Sequence, residues 1–108
     1  SFVEVDAGPT GCMLIRRGVF DALRGAYPEL HCRLNSTHAG RSVRHEVWWR
    51  FFDTMVSDDG EFLGEDIAFC RRWRRTGGAI WADLGSTISH VGRHAFTGNM
   101  LDRSQGAA

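Results

Sequence analysis

The sequence has no excess of charge of either sign. Its 108 residues carry 13 basic and 13 acidic side chains, which cancel at pH 7. A general nucleic-acid binder, or a protein held on an anionic membrane, has a net basic surface, so the balance argues against both classes. Local clusters of charge are therefore more informative than the total.

Long apolar runs are also missing. The longest run is far shorter than a bilayer span and no secretory signal segment is visible, so the sequence predicts no membrane span. The apolar share of 43%, with seven Phe and four Trp, is typical of a globular chain, and the length is that of a single domain, residues 1–108. The chain begins at Ser1 and runs almost directly into a strand-like segment. Such a start is expected for a fragment of a longer protein, and a processed terminus would give the same pattern.

Cysteines are few. Cys12, Cys32 and Cys70 are odd in number and show no Cys-x-x-Cys spacing. This pattern argues against a disulfide framework and against a zinc knuckle, and we expect a reducing, cytoplasmic location. Cys12 and Cys70 lie in apolar segments and are predicted to be buried, whereas Cys32 lies in a polar segment and is predicted to be the accessible thiol.

Apolar periodicity and turn residues predict an α/β chain, an α+β fragment with two to four short strands, two main helices and a long loop. Strand candidates are 2–5, 12–15, 47–52, 79–82 and 86–91; helices are predicted over 16–25 and 64–78. Segment 31–44 is polar and without period, which predicts a long surface loop. Segment 102–108 loses hydrophobicity and is predicted to be a frayed tail.

The second helix carries the most chemistry. Glu65 and Asp66 stand in its first turn, where the helix dipole favours negative charge, and a glycine pair, Gly77 and Gly78, ends it. Its last turns carry four arginines, Arg71, Arg72, Arg74 and Arg75, while Ile67, Phe69, Cys70 and Trp73 form an apolar stripe.

Four segments in order then resemble a known family. They are Gly11 to Leu23, Phe51-Phe52-Asp53, Gly64 to Asp83 (GEDIAFCRRWRRTGGAIWAD) and His90-Val91-Gly92. Over about residues 8–98 they resemble the C-terminal, acceptor-side half of a GT-A-fold glycosyltransferase and are most similar to the family 2-like enzymes. The resemblance implies transfer of a sugar from a nucleotide sugar to an acceptor hydroxyl. The nucleotide-binding half with its Asp-x-Asp motif is not among these residues, because neither Asp6 nor Asp58-Asp59 ends a strand of a βαβ unit.

The resemblance also implies roles for single residues. Asp66 is the base that takes the acceptor proton, and Glu65 orients the acceptor. The alternative is that both only stabilise the helix dipole, by ~0.3–1 kcal/mol. His90 is a contact of a divalent metal, Mn or Mg, in the complete enzyme, with His94 as a weaker second contact. One histidine does not hold a metal, so none is expected in this chain alone, and a structural histidine is the alternative.

Substrate contacts are predicted at Trp48, Trp49, Gly11 and Arg72. Exposed aromatic rings stack on sugars, and an arginine attracts a diphosphate or an acidic acceptor. The alternatives are core packing for one of the two tryptophans, an ordinary turn for the glycine and a solvated helix face for the arginine. Trp73 and Trp81 are predicted to be in the core.

We do not expect this chain alone to catalyse transfer, because the donor half is not within it. Strands that would pair with that half leave an open edge, which predicts a homo-oligomer or an intertwined dimer. Two other classes stay open. One is a non-catalytic interaction module of the same fold, and the other is a small metal- or phosphate-binding protein that uses His90, His94 and nearby acids.

Overall fold

A computed structural model describes residues 1–106 of the chain. It contains two main helices, α1 (Arg17–Ala26) and α2 (Glu65–Arg75), and a short third helix, α3 (Met100–Gly106). The strands are β1 (Phe2–Val5), β2 (His31–His38), β3 (Arg41–Trp49), β4 (Met55–Val56), β5 (Phe62–Leu63), β6 (Ile80–Asp83), β7 (Ile88–Val91) and β8 (Ala95–Gly98). Single 3-10 turns occupy Thr10–Cys12 and Pro28–Leu30.

The sheets are two-stranded and antiparallel. Consecutive strands form the pairs β2–β3, β4–β5 and β7–β8, whereas β1 pairs with β6 across most of the chain. The β1–β6 ribbon therefore brings the segment that follows α2 back to the start of the chain. The mixed α and β class and the two main helices are confirmed, although the strands are more numerous than the two to four predicted.

The core lies where α1 packs on α2. Its buried members are Val19 and Leu23 on α1 and Phe69 and Cys70 on α2. Val19 and Leu23 are four residues apart and so lie on one face of their helix. Cys70 is buried, as predicted, and its thiol donates to the carbonyl oxygen of Gly8 at an S–O distance of 3.7 Å. This contact ties the loop after β1 to the core.

Helix α2 ends at the predicted glycine pair, and each glycine has its own reason. Gly77 has a φ of +92°, a conformation that favours glycine, and its N–H donates to the carbonyl oxygen of Arg74 at 2.9 Å. A Cβ on Gly78 would lie 1.9 Å from the ring of Trp73, so only glycine lets the indole lie against the backbone there. The indole N–H then donates to the carbonyl oxygen of Ala79 at 3.0 Å. These contacts turn the chain from α2 into β6, and Trp73 packs against the core as predicted.

Segment 31–44 is not the predicted loop but most of a long β-hairpin, β2–β3. The two residues between its strands, Ala39 and Gly40, both have positive φ, 51° and 75°, which is the geometry of a type I′ hairpin turn. Much of the hairpin is exposed, so its pairing depends on backbone hydrogen bonds and requires no apolar period. For this reason the apolar periodicity of the sequence did not reveal the hairpin. Cys32, predicted to be accessible in a loop, lies half-buried in strand β2.

Other local predictions are wrong for related reasons. Segment 12–15 forms no strand, because the 3-10 turn Thr10–Cys12 replaces its start, and Cys12 is exposed. The predicted strand 47–52 stops at Trp49, and residues 51–52 form a turn. Trp81 is 60% exposed instead of buried, since its neighbours Ile80 and Ala82 occupy the half-buried face of β6.

The predicted frayed tail begins inside helix α3. Asn99 precedes this helix, and its Oδ1 accepts a hydrogen bond from the N–H of Asp102 at 2.8 Å. The Nδ2 of Asn99 also donates to Oδ2 of Asp102 at 2.7 Å. This side-chain cap starts α3, which continues to Gly106. Residues 107–108 of the predicted tail lie outside the described residues.

Arg72 joins α2 to the turn at 51–53. Its side chain is 5% exposed, and its Nη1 donates to the carbonyl oxygens of Phe51 at 3.1 Å and Asp53 at 2.6 Å. Burial lowers the pKa of Arg72, an effect that the nearby Asp53 carboxylate opposes. The hydroxyl of Tyr27, at the end of α1, donates to the main-chain carbonyl of Arg72 at 3.3 Å. Arg72 therefore holds three parts of the chain together.

Replacing Arg72 by Gln is expected to lower the free energy of unfolding by about 1.5–3 kcal/mol, because two part-buried carbonyls lose a charged donor. Chemical denaturation followed by tryptophan fluorescence measures this loss. The control is Arg71→Gln on the exposed neighbour, expected to change stability by less than about 0.5 kcal/mol. Equal effects of the two substitutions would contradict the structural role of Arg72.

Candidate functional site

The acidic pair stands at the accessible start of α2. Glu65 is exposed and Asp66 is half-buried. Asp66 Oδ1 accepts a hydrogen bond from the N–H of Ile67 at 2.9 Å, which satisfies one of the free amides of the first turn. Within the described residues, Asp66 Oδ2 and the Glu65 carboxylate have no hydrogen-bond partner. One oxygen of Asp66 thus stabilises the helix start, and the other is available to a ligand.

A cleft of about 370 Å³ lies between the turn after β1 and the outward face of α2. Its lining residues are Asp6, Ala7, Ile67, Arg71 and Arg74. Neither Glu65 nor Asp66 lines the cleft. The cleft-facing residues of α2 follow a spacing of four and three, which places them on one face of the helix.

The two arginines of the cleft differ in whether they form an ion pair. Arg74 forms an ion pair with Asp6, whose side chain is 94% exposed. Arg71, one turn earlier, has no hydrogen bond or ion pair within the described residues. The side chains of the cleft therefore present one paired and one unpaired guanidinium beside two apolar groups.

His90 lies away from any set of metal ligands. It sits exposed in β7, opposite Phe96 of β8, and the ring of His94 lies 4.6 Å from the Phe96 ring. Within residues 1–106 no group of three or more His, Cys, Asp or Glu side chains is placed to hold a metal ion. His90 is therefore not brought together with Glu65 and Asp66, and the described residues do not fit a divalent metal site.

The two tryptophans of β3 differ in their surroundings. Trp49 stacks on Phe51 with 5.7 Å between ring centroids, and the guanidinium of Arg24 lies 5.4 Å from its ring. Its indole N–H is buried without a partner among the described residues. Trp48 is 45% exposed and contacts only the ring of His45, at 5.9 Å, among the described aromatic rings. Trp48 is thus the one available for stacking on a ligand, and Trp49 packs at the base of the hairpin.

Gly11 and Arg72 have different surroundings, and their predicted substrate contacts stay predictions. Gly11 lies exposed in the 3-10 turn, and a Cβ there would meet nothing within 4 Å, so no close approach within the fold requires a glycine. Arg72 is buried and bonded to carbonyl oxygens, so it does not lie on the exposed basic face that the sequence predicted. The exposed basic face consists of its neighbours. The spacing of Ile67, Arg71 and Arg74 indicates that they share one face of α2. Nothing in the sequence indicates that Asp6 lies opposite that face.

Comparison of the chain with protein families, with curated proteins and with solved structures found no match. None of the helices within residues 1–106 has the length and apolar content needed to cross a bilayer.

Two carboxyls outside the cleft have shifted pKa values. The hydroxyl of Ser57 donates to Asp59 and lowers the pKa of that carboxyl below its ordinary value. The hydroxyl of Ser86 does the same for Asp83, whose Oδ1 also accepts from the N–H of Gly85 at 3.0 Å. Asp83 ends β6, so these bonds organise the bend that leads to the β7–β8 hairpin.

Substituting Ser86 by Ala is expected to raise the pKa of Asp83 toward its ordinary value, because the carboxylate loses its main donor. A lowered pKa in the folded chain favours folding above the pKa of the unfolded chain, and this contribution disappears as pH falls through the folded value. NMR titration of the Asp83 carboxyl carbon measures the shift. Ser89→Ala, on β7, is the control and should leave the titration unchanged; equal titrations in the wild type and S86A would disprove the assignment.

Proposed function

We propose that the chain is the acceptor-side part of a glycosyltransferase that moves a sugar from a nucleotide sugar to an acceptor hydroxyl. Asp66 is the base that takes the acceptor proton, and Glu65 orients the acceptor. The observation that carries this proposal is the position of the pair in the first turn of α2, where one oxygen of Asp66 has no hydrogen-bond partner among the described residues. The order of the four segments that resemble such enzymes supports it.

The environment of Asp66 suits a general base. The N-terminal end of a helix favours the ionised carboxylate, and one oxygen is held by the Ile67 N–H while the other has no partner among the described residues. A hydroxyl that approaches this second oxygen within about 2.6–3.2 Å is in reach for proton transfer. The half-buried position limits competing water without closing access. The carboxylate gains the proton as the acceptor oxygen forms its bond to the sugar.

Donor and metal binding are assigned to other residues. Transferases of this kind use Mn or Mg beside an Asp-x-Asp motif, and the described residues do not fit such a site. We therefore leave the metal and the nucleotide sugar to a nucleotide-binding half, with His90 as the contact that this chain contributes to them. Trp48 is the proposed sugar-stacking residue, because it is the accessible aromatic side chain of β3.

Asp66→Asn in the natural polypeptide that carries this chain is expected to lower transfer by about 10²-fold or more, since the amide does not accept the proton. The measurement is release of nucleoside diphosphate from a panel of nucleotide sugars with hydroxyl acceptors. Binding of the nucleotide should be unchanged. Glu61→Gln, at an exposed carboxylate just before α2, is the control and should keep full activity. Unchanged turnover in D66N would contradict the assignment of the base.

A second candidate from another class is a non-catalytic interaction module that associates with a second copy of itself. The observation that favours it is an unusually large surface. The chain exposes 8442 Å², whereas a compact protein of its mass exposes about 6,000 Å². Its radius of gyration is 17.5 Å, against about 13 Å for a compact domain of this length. The difference of roughly 2,400 Å² exceeds the ~800 Å² that each partner buries in a standard interface.

The β2–β3 hairpin, the longest ribbon of the described residues, is the proposed interface. By its register one face carries four apolar residues, Cys32, Leu34, Val43 and Trp48, together with Ser36 and His45, and we call this the hairpin face. Val43 is 49% exposed and Trp48 45% exposed. A two-stranded ribbon alone is marginally stable in water, so burial of this face is favourable. The net charge of zero leaves little repulsion between copies, which favours a second copy as the partner.

Sedimentation equilibrium is therefore expected to show a dimer or higher oligomer at micromolar concentration, and Val43→Asp is expected to shift it toward monomer. The control is Val91→Asp, a strand valine on the separate β7–β8 hairpin that is 77% exposed against 49% for Val43, and it should leave the oligomer intact. A monomeric wild type would contradict self-association. An oligomer that resists V43D would contradict the hairpin face as its interface.

A further inference from the structure

We propose that the cleft between the turn after β1 and helix α2 binds a phosphate group of an organic phosphate. This site is distinct from the acidic pair and does not rest on the transferase proposal. It would serve an interaction module equally well.

The walls of the cleft come from two distant parts of the chain. Asp6 and Ala7 follow β1, and the thiol of Cys70 on α2 bonds to the next residue, Gly8. This bond holds the two walls next to each other, and the Arg74–Asp6 ion pair lies across the cleft between them. The volume of about 370 Å³ is at the small end of ligand sites, which suits a phosphate with a small organic group.

Two guanidinium groups supply the charge. Arg71 and Arg74 are three residues apart on α2, so their Cβ atoms lie about 5–6 Å apart and both side chains face the cleft. Arg71 has no hydrogen bond or ion pair among the described residues, although, together with the Ser57 hydroxyl, its charge helps to lower the pKa of Asp59. The ion pair of Arg74 lies on the surface, where such pairs contribute little, so Arg74 can share its remaining donors with a ligand. The charge of the three ionised side chains in the cleft is positive by one unit.

The chemistry of two adjacent forks favours phosphate over a carboxylate. A carboxylate is satisfied by one bidentate arginine, whereas a phosphate presents three oxygens with up to two negative charges and can take both. Ile67 is 37% exposed and lines the cleft together with Ala7. These apolar side chains give the organic part of the ligand a surface to cover.

Asp6 restrains the site. Its carboxylate occupies Arg74 in the free chain and would lie near the bound anion. A neutral residue at position 6 therefore frees Arg74 and removes the repulsion. The proposed site therefore predicts that neutralising Asp6 raises the affinity for phosphate. If phosphate were attracted only by a generally basic surface, neutralising any other exposed acid would have the same effect.

The test is titration of the isotope-labelled 108-residue chain with phenyl phosphate, with inorganic phosphate and with acetate, followed by amide NMR shifts. We expect saturable shifts at Ala7 and Ile67 with both phosphates, tighter for phenyl phosphate, and weaker shifts with acetate. Arg71→Gln should weaken phosphate binding by about tenfold or more, the loss of one charge-assisted contact. Asp6→Asn should strengthen it.

The matched control is Arg75→Gln. Arg75 is on the same helix and its Nη2 lies 3.7 Å from Asp58 Oδ2, outside the cleft. It changes the net charge by the same amount as Arg71→Gln, and it should leave affinity within about twofold. Equal weakening by both substitutions would show general electrostatic attraction and overturn the site. Shifts that do not saturate at Ala7 and Ile67, or weaker binding by D6N, would overturn it as well.

Discussion

The burial of one face of helix α2 is the constraint on which the rest of this structure depends. Phe69 and Cys70 meet Leu23 of α1, and they form a small core with Val19. Each neighbouring segment is then attached to α2 by a different bond. The loop after β1 is held through Cys70, the turn at 51–53 through Arg72, and the exit into β6 through Trp73. Without this face packed, the candidate cleft would lose the relative position of its two walls.

The same helix presents its chemistry on the opposite side. Its four arginines look alike in the sequence but have four different environments. Arg72 is buried among carbonyl oxygens, Arg74 pairs with Asp6, Arg75 lies near Asp58, and Arg71 has no hydrogen bond or ion pair among the described residues. Since helix periodicity turns Arg72 toward the packed side and leaves the other three on the outer side, one basic run supplies a structural bond, two surface pairs and one charge outside any ion pair.

The architecture bears on both proposed functions. Four separate two-stranded ribbons surround a core of only a few side chains, and several large apolar side chains remain exposed on them. Such ribbons gain stability mainly from whatever covers them. Either a nucleotide-binding half or a second copy of the chain would cover these ribbons, and the two proposed functions differ in which of the two does so.

Much of the local structure followed from the sequence alone. The spacing of Val19 and Leu23, and the glycine pair after α2, were sufficient for both main helices, because helix formation depends on short-range periodicity and end signals. The carboxylates of Glu65 and Asp66 were found for the same reason. Tertiary structure decided the rest. The β2–β3 hairpin has no apolar period to reveal it, and the burial of Arg72, the exposure of Trp81 and the meeting of Asp6 with Arg74 depend on which distant segment lies opposite each residue. Local pattern carries no information about that pairing, since contacts across the chain arise only when the helices pack and β1 joins β6.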